Sequence, residues 1–423
     1  MLDKKVLIEH FLKTRKQSVK LCLPLEVEDY VVQPHPDVSP PKWHLGHTTW
    51  FFEKFILHEA TPFHPLFHTL FNSYYKSLGE HWNQGERGNL SRPTVKEIYE
   101  YRKEVDEKMV ALIDKAPEEN FKYIKKMTTL GIEHEKQHQE LLVMDIKYIL
   151  AENPLVPFYL ENNKTPSSCE DSEHSRPCRP KLHSLSGGLY SFGNDGDNFS
   201  YDNEGPLHKA YLHPFKLSTH PVTNGEFLEF MSEGGYENPN FWHSDGWDFI
   251  NREKIKAPLY WFQKEGDWLV AGLQGVQTVD PHQTLCHVSY FEASAYARWS
   301  GKRLPTEKEW EMAASLTESE SIEGHFLERE DFQLAPPVNN QPPFYDLFGS
   351  TWEWTDSSYS PYPGYRRLGG PMGEYNGKFM SGQMVLRGGC LATPKDHIRK
   401  TYRNFYRPEK RWCFGGIRLA EDH

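Results

Sequence analysis

The strongest chemical signal in the sequence is a pair of histidines four residues apart. His134 and His138 lie in Gly131-Ile-Glu-His-Glu-Lys-Gln-His-Gln-Glu140, which runs on into Leu141, Leu142, Ile146, Ile149 and Leu150. That apolar spacing is helical, and positions four apart on a helix share one face. Both imidazoles therefore point where the leucines and isoleucines point, inward, as two ligands of a metal would. Glu140 falls about 200° round the helix from His138, so a metal held by both histidines is out of its reach. The competing reading is a pair of core histidines bonded to backbone carbonyls, and the helix geometry alone leaves both open.

A third imidazole comes from upstream. In Trp43-His-Leu-Gly-His47-Thr-Thr-Trp50-Phe51-Phe52-Glu53-Lys-Phe55, the residues Trp43, His47, Trp50, Phe51 and Phe55 recur at steps of three and four. This places His47 on a buried stripe and His44 off it. With His134 and His138, His47 would face a metal from one side and leave open positions. Imidazole suits zinc, iron, copper and nickel alike, so the ligand type does not choose the ion.

These residues need helices to hold them. Helical spacing over Leu2–Leu21, from Trp43, over Val95–Ala116 and around His134 predicts a four-helix bundle whose inward polar groups build the site. A proline-rich connection, 34–41, precedes the second helix. An insertion, 61–94, breaks the pattern and carries Phe71-Asn-Ser-Tyr74-Tyr75 and Gly85-Glu-Arg87-Gly88-Asn-Leu-Ser91-Arg92. Arginine recognises carboxylates through paired hydrogen bonds, so Arg87 and Arg92 could hold the carboxylate of an amino-acid substrate. An ordinary salt-bridged loop is the alternative.

The polar stretch that follows, Asn162-Asn-Lys-Thr-Pro-Ser-Ser-Cys-Glu-Asp-Ser-Glu-His-Ser-Arg-Pro-Cys, reads as a linker. The expected division is a helical bundle over 1–155, a linker over 156–182 and an α+β domain over 183–423. In that last part, short apolar runs are broken by Gly, Asn, Asp and Pro. Thr223 and Ser289 stand where helix caps belong, and Thr306-x-x-Glu309 has the form of a capping box.

Bulk composition narrows the function classes. At 423 residues the chain is too long for one ordinary core. A net charge of −11 with no long basic run argues against a nucleic-acid phosphate backbone as partner. No stretch of 18 apolar residues spans a membrane. The acidic residues near the N-terminus do not fit a signal peptide. Six cysteines without a CxxC read as reduced thiols, which points to a cytoplasmic protein. With 12 Trp, 22 Tyr and 25 Phe, there are rings enough both to fill a core and to line a pocket for a flat or cationic ligand.

Four stretches carry a family resemblance: Pro221-Val-Thr-Asn224, Gly301-Lys-Arg-Leu-Pro-Thr-Glu-Lys-Glu-Trp310-Glu, Phe348-Gly-Ser-Thr-Trp352-Glu-Trp354 and Arg387-Gly-Gly389. From about 181 to 423 the chain resembles the formylglycine-generating-enzyme fold, a C-type-lectin-like α+β domain. The first half, with His47 and His134-x-x-x-His138-x-Glu140, resembles the DinB-like four-helix metal-binding bundle. Joined in this order, they resemble the non-heme iron sulfoxide synthases of ergothioneine biosynthesis.

The resemblance implies iron(II) held by His47, His134 and His138. It also implies O2-dependent joining of a thiol, from cysteine or γ-glutamylcysteine, to C2 of the imidazole of Nα-trimethylhistidine (hercynine). A tyrosine delivering a proton or electron is implied as well; the Phe-Asn-Ser-Tyr-Tyr insertion puts Tyr74 and Tyr75 in that role. Gln137, Asn404, Phe405 and Tyr406 are then expected at the histidine-derived substrate, and Arg87 and Arg92 at the thiol's carboxylate. Cys390 and Cys413 are 23 apart, unlike the closely spaced copper-binding cysteines of the formylglycine-generating enzymes, so that activity is not expected. An ovothiol- or selenoneine-type synthase, or a lectin-like binding protein with a structural zinc, are the alternatives.

Overall fold

In the computed structural model, the described residues are 2–58, 61–73, 75, 77, 79–160, 181–194, 196, 199–317, 322–337, 343–367, 369 and 376–423. Two compact units emerge, Met1–Tyr159 and Leu160–Leu368 with Asn376–His423.

The first unit is helical: α1 (Leu2–Cys22), α2 (Pro41–Phe52), α3 (Phe67–Phe71), α4 (Val95–Lys115) and α5 (Glu118–Ala151). Pro41 opens α2 at its first turn, where a missing N–H costs nothing. A single π-helical turn, Glu53–Leu57, closes it at left-handed His58. Thr94 caps α4 through a reciprocal box with Glu97. The four long helices match the expected bundle. The insertion is less irregular than its sequence suggests, because Phe67 and Phe71 bury themselves and form the short α3 between them.

Helix α5 lies close against α2. A Cβ at Gly131 would meet the Phe52 ring at 2.5 Å, so only glycine permits the approach. Below the contact, Glu135 is fully buried. Arg15 donates to its Oε2 at 2.8 Å, Arg102 and Ser18 donate to its Oε1, and Arg15 also holds Asp106 at 2.6 Å. Burial works to raise the Glu135 carboxyl, but Arg102, Arg15 and the hydrogen bonds win and hold it at about 2. Helices α1, α4 and α5 are thus locked round one carboxylate. An open groove of about 580 Å³ runs between α1 and α4, and no imidazole lines it.

The second unit contains β1 (Leu182–Leu185), β2 (Gly188–Phe192), β3 (His208–Leu212), β4 (Phe215–Ser218), α6 (Asn224–Ser232), α7 (Ser244–Glu253), β5 (Trp261–Lys264), β6 (Asp267–Gly272) and β7 (Gly275–Thr278). It continues through α8 (Tyr290–Trp299), α9 (Glu307–Ala314), β8 (Trp352–Ser358), β9 (Met384–Arg387), β10 (Asn404–Tyr406), β11 (Gly415–Gly416) and β12 (Ala420–Asp422). The sheets run β1-β4-β12, β10-β9-β8-β11, β2-β3 and β5-β6-β7. Among the strand pairings of the described residues, only the short β8–β11 pairing is parallel.

Thr223, Ser289 and Thr306 each cap a helix and close a box with the glutamate three residues on. In β8 the buried rings of Trp352 and Trp354 flank Glu353. Glu353 accepts from Trp310 Nε1 at 2.7 Å and pairs with Arg418 at 2.8 Å. Arg418 in turn donates to the carbonyls of Ser218 and Tyr345, pinning β4 to the loop before β8. The cysteines among the described residues, Cys22, Cys286, Cys390 and Cys413, are buried and not disulfide-bonded. Cys169 and Cys178 lie outside the described residues. No helix among the described residues is long and apolar enough to cross a membrane.

Candidate metal centre

Helices α2 and α5 bring His47, His134 and His138 together, with one nitrogen from each inside a 4.8 Å span. Glu140 is buried but outside this group, as the helix angle requires. Each ring is held differently. His47 Nδ1 donates to the carbonyl oxygen of Phe71 at 2.5 Å, which fixes the proton there and leaves Nε2 bare. That Nε2 lies 3.2 Å from His134 Nε2. Two nitrogens bound at right angles to one ion, each at about 2.1 Å, would sit roughly 3.0 Å apart, so the pair is spaced as neighbouring ligands. Burial lowers the affinity of all three imidazoles for protons, His134 to about 3, so at neutral pH they are neutral, the form that ligates a metal. The residues therefore fit a metal, whose identity three nitrogens do not choose.

Round the triad is an aromatic shell. Trp43 stacks on His47 with centroids 4.6 Å apart, Trp50 also stacks on it at 5.7 Å, and Phe51 packs on His134 at 4.6 Å. Tyr75 is fully buried and packs on Trp50 at 5.9 Å and Phe55 at 5.2 Å. Asn72 holds its backbone from both sides, accepting from Tyr75 N–H at 3.0 Å and donating to its carbonyl at 3.1 Å. Tyr74 lies outside the described residues.

The two arginines of the insertion part company. Arg87 is buried, with its guanidinium 3.3 Å over the Trp43 ring and Nη1 donating to Ser39 Oγ at 2.7 Å. Its Nε is buried without an acceptor, and no carboxylate pairs with it among the described residues. Burial pushes this guanidinium down to about 9 against the pull of Asp145. A buried cation with no carboxylate in contact invites an anion. Arg92 is exposed, and its Nη1 donates to the neighbouring Ser91 carbonyl. Lys42 clips this loop to α2, donating to the carbonyls of Leu90 at 2.5 Å and Pro93 at 2.8 Å.

Gln137 is half-buried on α5 beside His138. Asn404, Phe405 and Tyr406 form β10 of the second unit. There Phe405 stacks on Tyr359 at 4.0 Å, Tyr406 packs on Trp412 at 5.3 Å, and Asn404 Oδ1 accepts from its neighbour's N–H.

The sequence reading passed over His44 because it is offset from the apolar stripe. It is nonetheless buried, and its two nitrogens reach His138 and Asp145, each at 2.9 Å. The available signal was Asp145, a carboxylate seven residues after His138 and so on the same face of an apolar helix.

A model of the sulfatase-modifying factor enzyme 1-like domain matches residues 170–423, and one of the DinB superfamily matches residues 10–142. The hercynine oxygenase of Mycolicibacterium smegmatis is 28% identical over 456 residues, spanning 100% of both chains. The hercynine oxygenase of Mycobacterium tuberculosis is 34% identical over 242 residues, covering 53% of this chain and 56% of its own. The inactive C-alpha-formylglycine-generating enzyme 2 of Mus musculus is 30% identical over 232 residues, 46% of this chain and 74% of its own. The chain belongs to the sulfatase-modifying factor enzyme 1-like family, and it joins that domain to an N-terminal DinB-superfamily region, with a likeness to hercynine oxygenase along its full length.

Proposed function

We propose that this chain is an iron(II)- and O2-dependent oxidoreductase. In this reading it joins the sulfur of cysteine or γ-glutamylcysteine to C2 of the imidazole ring of hercynine and leaves a sulfoxide. The observation that carries the reading is the convergence of three inward imidazoles beside a buried guanidinium that pairs with no carboxylate among the described residues. The full-length likeness to hercynine oxygenase supports the choice of substrates. The reaction balances without an outside reductant: one S–H and one C–H bond break, a C–S bond forms, one oxygen atom goes to sulfur and the other leaves as water.

His47, His134 and His138 would hold the iron, which supplies activation of O2 and of the thiolate when bound. The protein's own residues do the rest. Arg87, flattened on Trp43, would take the thiol substrate's carboxylate and so fix where its sulfur sits. Trp43, Trp50 and Phe51 keep water from the imidazoles. Tyr75, or its neighbour Tyr74, would supply the proton or electron that steers oxygen away from the thiol alone. The quaternary ammonium of hercynine cannot donate hydrogen bonds and needs aromatic faces; Phe405 and Tyr406, with Asn404 and Gln137, are assigned to it. Arg92, which is exposed, would join Arg87 at the thiol substrate's carboxylate.

The deciding experiment supplies the iron-loaded chain with hercynine and each thiol under O2 and reads product mass. A sulfoxide at the combined mass is expected. Tightly held zinc, with no O2 uptake when both substrates are present, would instead mark a binding module. Arg87→Met should raise KM for the thiol about 10–100-fold, as loss of a charge-assisted hydrogen bond does, with metal content unchanged.

A further inference from the structure

Resting on that metal triad but going beyond it, we propose that Asp145 and His44 are positioning residues that set the tautomer of His138. The line of contacts is continuous. Asp145 Oδ2 receives the Ser39 N–H at 2.8 Å and faces His44 Nε2 at 2.9 Å. His44 Nδ1 faces His138 Nδ1 at 2.9 Å. A carboxylate only accepts, so His44 carries its proton on Nε2. A neutral imidazole with Nε2–H has an accepting Nδ1, and two acceptors cannot face each other across 2.9 Å. With His44 neutral, His138 therefore carries its proton on Nδ1, which leaves its Nε2 bare as the ligand atom it can offer the triad. Without His44, nothing among these contacts selects that tautomer.

The arrangement mirrors His47, where the Phe71 carbonyl does the same work in one step. For His138 the work is done by side chains, and so it can be removed without touching the ligand. The line also reaches the anion site, because Ser39 binds Asp145 through its N–H and Arg87 through its Oγ. All four supporting groups, Ser39, His44, Asp145 and Arg87, are buried.

The test is metal affinity of the full chain, read by Co(II) and Zn(II) competition with a chromophoric chelator, alongside the metal-free melting temperature. His138→Ala examines the triad itself and should abolish tight binding. Equal affinity in wild type and His138→Ala would sink the triad, a failure separate from that of the relay. His44→Phe keeps the ring and removes both nitrogens; metal affinity should fall about 10–100-fold, as when an outer partner of a ligating histidine is lost. His44→Asn puts an amide oxygen near the lost Nδ1, so affinity should return to within a few-fold of wild type. A pure packing role predicts the reverse order, with Phe better than Asn. Asp145→Leu leaves His44 in place and should weaken binding in the same direction, which covers the case that His44→Phe does not fold. The relay is overturned if His44→Phe or Asp145→Leu binds as wild type, or if His44→Asn binds no more tightly than His44→Phe.

Discussion

At the scale of single residues, what decides behaviour is whether a buried charge has a partner. Glu135 has two arginines and a serine; Arg87 has a ring and a hydroxyl. Glu135→Gln should therefore destabilise the first unit by about 3–5 kcal/mol at pH 7, the usual result of breaking a buried ion pair from one side. Glu135 is depressed in the fold, so its contribution is present above its ordinary pKa of 4.5 and is lost as pH falls toward about 2. Urea titrations at pH 7 and pH 3 should show the gap between wild type and variant narrowing at the lower pH. Tyr75→Phe belongs here too: the ratio of sulfoxide to sulfinate should shift toward sulfinate, and an unchanged ratio would remove the tyrosine from the chemistry. That three imidazoles meet was legible in the sequence, since His134 and His138 share a face by spacing and His47 lies on its own apolar stripe. The difference between Arg87 and Arg92 was not. They sit in one loop without periodicity, and nothing local tells which is buried.

At the scale of elements, the site is the seam between α2 and α5. Its width is set by Gly131 against Phe52. Gly131→Ala would gain up to about 1 kcal/mol of helix propensity, but overpacking at such a contact costs about 1–3 kcal/mol. A net loss of stability is expected, together with weaker metal binding, since α2 must move and His47 with it. Adding Phe52→Leu should return part of both, as a thermal melt and a metal titration would show. Helix ends were the most legible elements. Thr223, Ser289 and Thr306 cap by local chemistry, each with its glutamate three residues on. The short α3 was less so, because its two phenylalanines are buried only by the bundle that surrounds them. The contact of His44 with Asp145 spans 101 positions of chain, and no local pattern announces it.

At the scale of the whole molecule, two units with separate cores should not unfold as one. The three imidazoles all belong to the first unit, so metal should raise only that unit's transition, by about 2.7 kcal/mol when free metal is a hundred times its Kd. Calorimetry with and without a chelator should show one transition moving and one staying. Short apolar runs broken by Gly, Asn, Asp and Pro, together with the helix caps, made the α+β character of the second unit readable. Its sheet orders were not, because β4 joins β1 to the distant β12 and β8 joins β9 to β11 through contacts that only the finished fold supplies.

The distribution of polar groups across the seam has a mechanical consequence. Helix α5 carries His134, His138 and Asp145, while α2 carries His44 and His47. No single helix holds the full set, so a bound ion would act as a rivet through two rods. Losing it and letting the rods part then become one event. Amide hydrogen exchange along α2 should slow in step with metal occupancy, while α4, which supplies no imidazole to the seam, keeps its own pace.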